Sequence, residues 1–436
     1  MTHDAVPASQ TVQPPVPRSV VRAWTIWDFG QQSFNTVILT FVYSVYVTGL
    51  AADPDYGAAL FTNTQAWAGL AIALLAPAMG TMADRARNSR LWLTILTLAT
   101  IACMAGLWFV RPEESYLLLG CIIIAVASVF SELANVFYYA MLIQVSTPKT
   151  YGRISGTAWG LGYIGGVLAL VITLFGFILE GRFLPIPTDD AMNVRGVALL
   201  CALWFLIFGL PLLILAPKDP PASDAFKPVS LVGAYKELGL RLVRLWKSER
   251  SLLHFFIASA VYRDGLGAIF ALAGVLAAAA YGFEQEEVIY FGLAANLVAG
   301  IGTWLAGKQD DRFGARPVII GYLGAILVLA GIIIVSDAKL TFWIGGLLIA
   351  TCVGPVQTAS RSMLARMTIP ETANENFGLY ATVGRAVSFM APGAFSVMVA
   401  VTGQTRLGMI GIALVLALGL ALFLPLKVQP AAPADS

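Results

Sequence analysis

Long apolar runs alternate with short polar breaks along the chain, and the runs have membrane-spanning length. A spanning helix needs about 20 mostly apolar residues. Twelve runs satisfy this, at roughly 22–50, 60–82, 91–110, 116–145, 154–179, 195–216, 251–281, 287–307, 317–336, 340–366, 376–402 and 405–426. The one long polar break is Pro217–Arg250, which opens with Pro217, Pro220 and Pro221. Within it, Leu231, Val232, Tyr235, Leu238, Leu242, Leu245 and Trp246 recur at helical spacing, with Lys236, Arg241, Arg244 and Lys247 between them. This pattern predicts an amphipathic helix lying on an anionic membrane surface. The break divides the chain into a six-helix bundle over 19–216, a linker over 217–250 and a second six-helix bundle over 251–426. Residues 1–18, with Pro14, Pro15 and Pro17, read as a disordered tail without a signal peptide's apolar core. Residues 427–436 read as a C-terminal tail. The expected fold class is therefore an all-α integral membrane protein of twelve spans.

Composition supports this class. Apolar residues make up 58% and charged residues 12%, against about 45–50% and 25% in soluble domains. The 41 glycines suit close approach of helix backbones in a membrane. Cys103, Cys121, Cys201 and Cys352 all lie in apolar runs without CxxC spacing and read as buried thiols. His3 and His254 do not form a zinc pattern. No basic run with interleaved aromatics suggests nucleic acid, and no cofactor is implied. HExxH, GxSxG and nucleotide-loop motifs are missing, which argues against a membrane enzyme.

The formal net charge of +2 says little, but its distribution says more. If the termini and the linker share one side, that side collects twenty of the Lys and Arg residues and the other side five, Arg111, Arg182, Arg195, Lys339 and Arg406. The acids divide evenly. By the positive-inside rule both termini are cytoplasmic, and a plasma (inner) membrane is the expected location.

An internal repeat runs through both halves. Trp27-Asp28-Phe29-Gly30 in span 1 is matched by Arg263-Asp264-Gly265 in span 7. Gly80…Asp84-Arg85 after span 2 is matched by Gly307…Asp311-Arg312 after span 8. Met141-Leu142…Thr147-Pro148 ends span 4 as Met363-Leu364…Ile369-Pro370 ends span 10. Three pairs in the same order indicate two parallel repeats.

Those two loops resemble the major facilitator signature G-x-x-x-D-R-x-G-R-[RK]. The second carries Gly307, Asp311, Arg312, Gly314 and Arg316; the first carries Gly80, Asp84 and Arg85 but has Arg87 where the family prefers glycine. A narrower resemblance rests on Ala23-Trp24…Trp27-Asp28, Ser155-Gly156…Gly162-Tyr163-Ile164-Gly165-Gly166, Gln357…Ser360-Arg361-Ser362, and Phe377-Gly378-Leu379-Tyr380. It is similar to the "unknown major facilitator" family, which includes autophagy-related vacuolar amino-acid effluxers. Gln31-Gln32 and Arg385 depart from the usual pattern of those relatives. The resemblance implies two pseudo-symmetric six-helix bundles rocking about a central cavity. It also implies that Asp84 and Asp311 act as conformational latches by capping neighbouring helices.

Five charges fall inside the apolar runs: Asp28, Glu132, Arg263, Asp264 and Arg385. A charge at mid-membrane costs about 2.5–3.5 kcal/mol on insertion scales, so each is paired or faces a wet cavity. Asn135 and Tyr139 share the helical face of Glu132. Tyr163, Gln357 and Arg361 complete the candidate substrate-binding and coupling set, in which Arg385 is the candidate holder of a substrate carboxylate and Asp264, with Glu132 or Asp28, the candidate proton carrier. The same polar groups in a structural role would tie helices together. The expected function is secondary active transport of a small polar solute, an amino acid favoured, with proton coupling, by a monomer in contact with membrane lipid. The alternatives are a lipid, amphiphile or drug exporter on the same fold, or, in another class, a non-transporting receptor or a membrane enzyme.

Overall fold

The computed structural model describes residues 16–179, 183–219 and 229–426. The expectations placed on 1–15, on Arg182, on 220–228 of the linker and on the tail 427–436 lie outside the described residues. Among the described residues eleven helical runs are long and apolar enough to cross a membrane: Pro54–Ala86, Ser89–Phe109, Glu114–Val145, Tyr151–Ile178, Asp189–Leu215, Arg250–Tyr281, Gln285–Phe313, Ala315–Val335, Lys339–Arg366, Pro370–Thr402 and Thr405–Phe423. These are spans 2 to 12. Span 1 is interrupted: an α-helix at Arg18–Ser33 passes into a π-helical stretch at Phe34–Phe41 and a short helix at Tyr43–Thr48. Span 2 starts earlier than its apolar run, because Asp53 caps it by accepting the Asp55 N–H at 3.0 Å. Span 11 breaks after Val387 and resumes at Met390.

The linker, the loops after spans 2, 4 and 8, and the end of span 12 share one face of the molecule, here called the linker face. Arg90 Nη2 donates to the Ile214 carbonyl at 2.7 Å, and Arg316 Nη2 donates to the Leu424 carbonyl at 2.7 Å. The linker helix, Leu231–Lys247, forms where the helical spacing places it and turns one face to the bundles. It packs on the bundles through Ala234, Arg241 and Leu245, all buried, while Val232 and Trp246 stay 80% and 69% exposed. The reason is electrostatic. Arg241 binds Glu249 and lies 3.7 Å from Glu375, and its Nη2 donates to Asn376 Oδ1 at 3.2 Å.

The halves meet tightly at the linker face along two seams, spans 2 and 11 and spans 5 and 8. Both seams depend on bare backbone. A Cβ at Gly80 would lie 2.4 Å from the Asn374 carbonyl oxygen, and one at Gly307 would lie 2.6 Å from that of Gly152. Pro77 removes an N–H inside span 2, which frees the Ala73 carbonyl, and the Thr382 hydroxyl of span 11 donates to it at 2.9 Å. Past the break in span 11 the seam opens: Phe389 and Val401 are 71% and 77% exposed. The halves are thus joined along both seams at the linker face, and the seam of spans 2 and 11 parts towards the other face.

Candidate functional site: a polar cavity between the two bundles

Between the bundles lies a cavity of about 490 Å³. The first half contributes Gln31, Gln32 and Asn35 from span 1, Glu132, Asn135 and Tyr139 from span 4, and Trp159 from span 5. The second contributes Arg263 and Asp264 from span 7, Gln357 from span 10, and Phe377, Tyr380 and Arg385 from span 11. Tyr139, Trp159, Phe377 and Tyr380 form the floor on the linker side. Tyr139 stacks with Trp159 at 6.1 Å and meets Phe377 of the other half at 6.4 Å.

The five intramembrane charges find different surroundings. Glu132 Oε1 and Arg385 Nη2 lie 3.3 Å apart, bridging the halves across the cavity. Arg263 lies flat on the Tyr380 ring, 3.8 Å from its centroid, and its Nη1 donates to the Tyr380 carbonyl at 3.4 Å. Asp264 touches the cavity, but its Oδ2 accepts the Ala391 N–H at 2.7 Å, capping span 11 where it resumes. Its carboxylate is thus engaged by the backbone of span 11 while still facing the cavity. Asp28 is 5% exposed and outside the cavity lining. It packs against span 5 at Gly162, where a Cβ would lie 3.3 Å from the carboxylate. Tyr163 also lies off the lining, stacked on Phe270 of span 7 at 6.4 Å.

Arg361 corrects the charge count. Counted with the loop bases in the sequence, it sits inside span 10 and is 1% exposed. It enters a cage made wholly by the other half. Its guanidinium lies 5.2 Å from Trp24, 4.9 Å from Tyr139 and 5.0 Å from Trp159. Its Nε and Nη2 donate to the Ser155 hydroxyl and carbonyl at 2.8 and 2.7 Å. Cation–π contact and charge-assisted hydrogen bonds both strengthen when water is excluded.

Below the floor lie the two repeated loops. Asp84 accepts the N–H groups of Asn374 and Glu375 at 3.2 and 2.8 Å. Asp311 accepts those of Gly152 and Arg153 at 2.8 and 3.1 Å. These are the second and third residues of the α-helices Ala373–Val387 in span 11 and Tyr151–Thr173 in span 5, whose own N-cap residues, Thr372 and Thr150, make no side-chain cap. Each half thus supplies the helix cap that the other lacks. Arg85 Nε pairs with Glu237 of the linker helix at 2.8 Å, and Arg312 lies 5.1 Å from the Phe313 ring. The signature glycine is explained by geometry: Gly314 has φ 88°, and Arg87, at the matching place, is itself left-handed at φ 51°.

Sequence reasoning missed Asp310 and Arg366. Asp310 is 1% exposed and takes Arg366 Nη1 at 2.7 Å and the Ser362 hydroxyl. The doubled Asp310-Asp311 was the available signal. The floor residues Trp159 and Phe377 look like ordinary core in the sequence, and only their meeting across the halves gives them a place here.

With this geometry in view, comparisons place the chain. Residues 144–435 match the family described as "Vacuole effluxer Atg22 like". The uncharacterized MFS-type transporter YxiO of Bacillus subtilis (strain 168) is 26% identical over 409 residues, covering 92% of this chain and 93% of that one. Autophagy-related protein 22 of Cryptococcus neoformans var. neoformans is 23% identical over 327 residues, 68% of this chain but 58% of the longer fungal protein. Among solved structures, the proton:xylose symporter XylE superposes with a TM-score of 0.73 at 13% identity, covering 95% and 96% of the two chains. A bacterial homologue of ferroportin gives 0.69 at 14%, covering 94% and 99%. These relatives are transporters rather than enzymes, and the chain belongs to the Atg22-like family of major facilitator transporters.

Proposed function

We propose that this transporter is a secondary carrier that moves a small polar solute, an amino acid being favoured, by alternating access and as a monomer. The observation that supports it is the cavity itself. Its lining of amides, paired charges and aromatic rings comes from both halves, and its floor is the surface along which the halves meet. Rocking the halves apart at the linker face would carry a solute from one side to the other. The excess of basic residues at the linker face makes that face cytoplasmic, so the conformation described is outward-facing, in a plasma (inner) membrane.

Proton coupling is part of the proposal. Of the three intramembrane acids, Glu132 is paired and Asp264 caps a helix. Among the described residues Asp28 has no cation within 4.0 Å, and it is the favoured carrier.

The test is transport by the purified protein in liposomes loaded without substrate, offered radiolabelled amino acids with and without an imposed pH gradient. Saturable, gradient-dependent accumulation is expected. If no amino acid is taken up while a labelled lipid or amphiphile is, the solute class is wrong.

A further inference from the structure

Two guanidinium groups face the cavity, and they differ in their partners. Arg385 is committed to Glu132 at 3.3 Å. Arg263 has no carboxylate oxygen within 4.0 Å among the described residues. Its sequence neighbour Asp264 turns instead to the Ala391 N–H. A guanidinium carries five N–H donors, and the hydrogen bond of Arg263 is a single long one, to the Tyr380 carbonyl.

The group is nonetheless fixed in place. One face lies on Tyr380, whose ring in turn lies parallel to Phe255, with 4° between the planes. The charges of the cavity can then be set against one another. Glu132 and Arg385 cancel. The Asp264 carboxylate is offset in part by the helix N-terminus it caps, worth about half a charge. Arg263 is the lining cation without a carboxylate partner among the described residues, and around it the potential is positive and draws anionic groups.

We propose that Arg263 is the seat of a planar oxyanion of the transported solute, a carboxylate being the type, and that the Arg385–Glu132 pair is a strut between the halves. The fork of a guanidinium matches a carboxylate with two parallel hydrogen bonds, and stacking on Tyr380 holds the fork ready. This rests on the transporter reading above and moves the anion site from Arg385, its place in the sequence reading, to Arg263.

The experiment compares acids with their amides. Melting of the purified full-length protein is followed with alanine, leucine, glutamine and tyrosine, each beside its carboxamide, and with succinate, glucose and choline. The expected result is stabilisation by at least one carboxylate and not by its amide. Arg263→Gln should weaken that binding at least tenfold, and Arg263→Lys, which keeps the charge but not the fork, should weaken it by less. The double variant Glu132→Gln/Arg385→Gln, which removes both charges of the strut, should keep the preference for acid over amide. If Arg263→Gln does not fold, a reduced preference in Arg263→Lys carries the test. Unchanged affinity in both Arg263 variants overturns the anion site but leaves amino-acid transport standing. Equal binding of amide and acid does the same. Binding of glucose or choline with no carboxylate overturns both, as does no response to any carboxylate at millimolar concentration.

Discussion

Arg361 of span 10 crosses from the second bundle to donate to the Ser155 hydroxyl of span 5, in the first, at 2.8 Å. Because the cage around it belongs to the other half, the guanidinium must withdraw before the linker face can open. Arg361→Met should remove charge-assisted hydrogen bonds worth about 1.5–3 kcal/mol and shift the population towards opening at the linker face. Spin-label distances between the linker-face ends of spans 5 and 8 would lengthen; an unchanged distribution would show that the cage does not hold the closed state.

The two aspartate caps should act in the same direction but on different seams. Asp84→Asn loosens spans 2 and 11, and Asp311→Asn loosens spans 5 and 8. Each loses part of a cap worth about 1 kcal/mol, which changes the open-to-closed ratio roughly fivefold. The two caps have no hydrogen-bond partner in common, so the effects should add. Distance measurements on the single and double variants check this.

Arg87 holds a left-handed backbone that costs a non-glycine residue about 1–2 kcal/mol, where its counterpart is Gly314. Arg87→Gly should therefore raise the melting temperature of the purified protein, while Gly314→Ala should lower it. A fall in melting temperature on Arg87→Gly would mean that the contacts of the arginine outweigh the strain.

For coupling, Asp28→Asn should abolish accumulation driven by a pH gradient and leave substrate exchange across the membrane intact. Asp264→Asn should keep both, because an asparagine oxygen still accepts the Ala391 N–H. Accumulation by both variants at the wild-type rate would remove protons from the mechanism at these acids.

Topology is checked in a background without the four cysteines. A cysteine at Glu286 should react with an impermeant reagent in intact cells, and one at Arg312 only after the membrane is opened. Rapid labelling at position 312 in intact cells would invert the orientation.

By itself the sequence determined the class, the twelve spans, the two-fold repeat and the pair of signature aspartates. These are set by local quantities: apolar run length against bilayer thickness, and residue types at fixed spacing. The chemistry of each charge was decided elsewhere. Asp28 and Asp264 occupy matching places in the repeat and look alike in the chain, yet one packs on Gly162 and the other caps Ala391. Arg361 reads as a loop base because it stands near the end of its run, beside Arg366, and the apolar pattern does not reveal the aromatic cage around it. Arg241 reads as one cation of a surface helix, and its burial follows from Glu249 and Glu375, the latter 134 positions away. A buried charge is defined by its partner and by the water it has lost. Both depend on which helices meet, and that is a property of the packed halves alone.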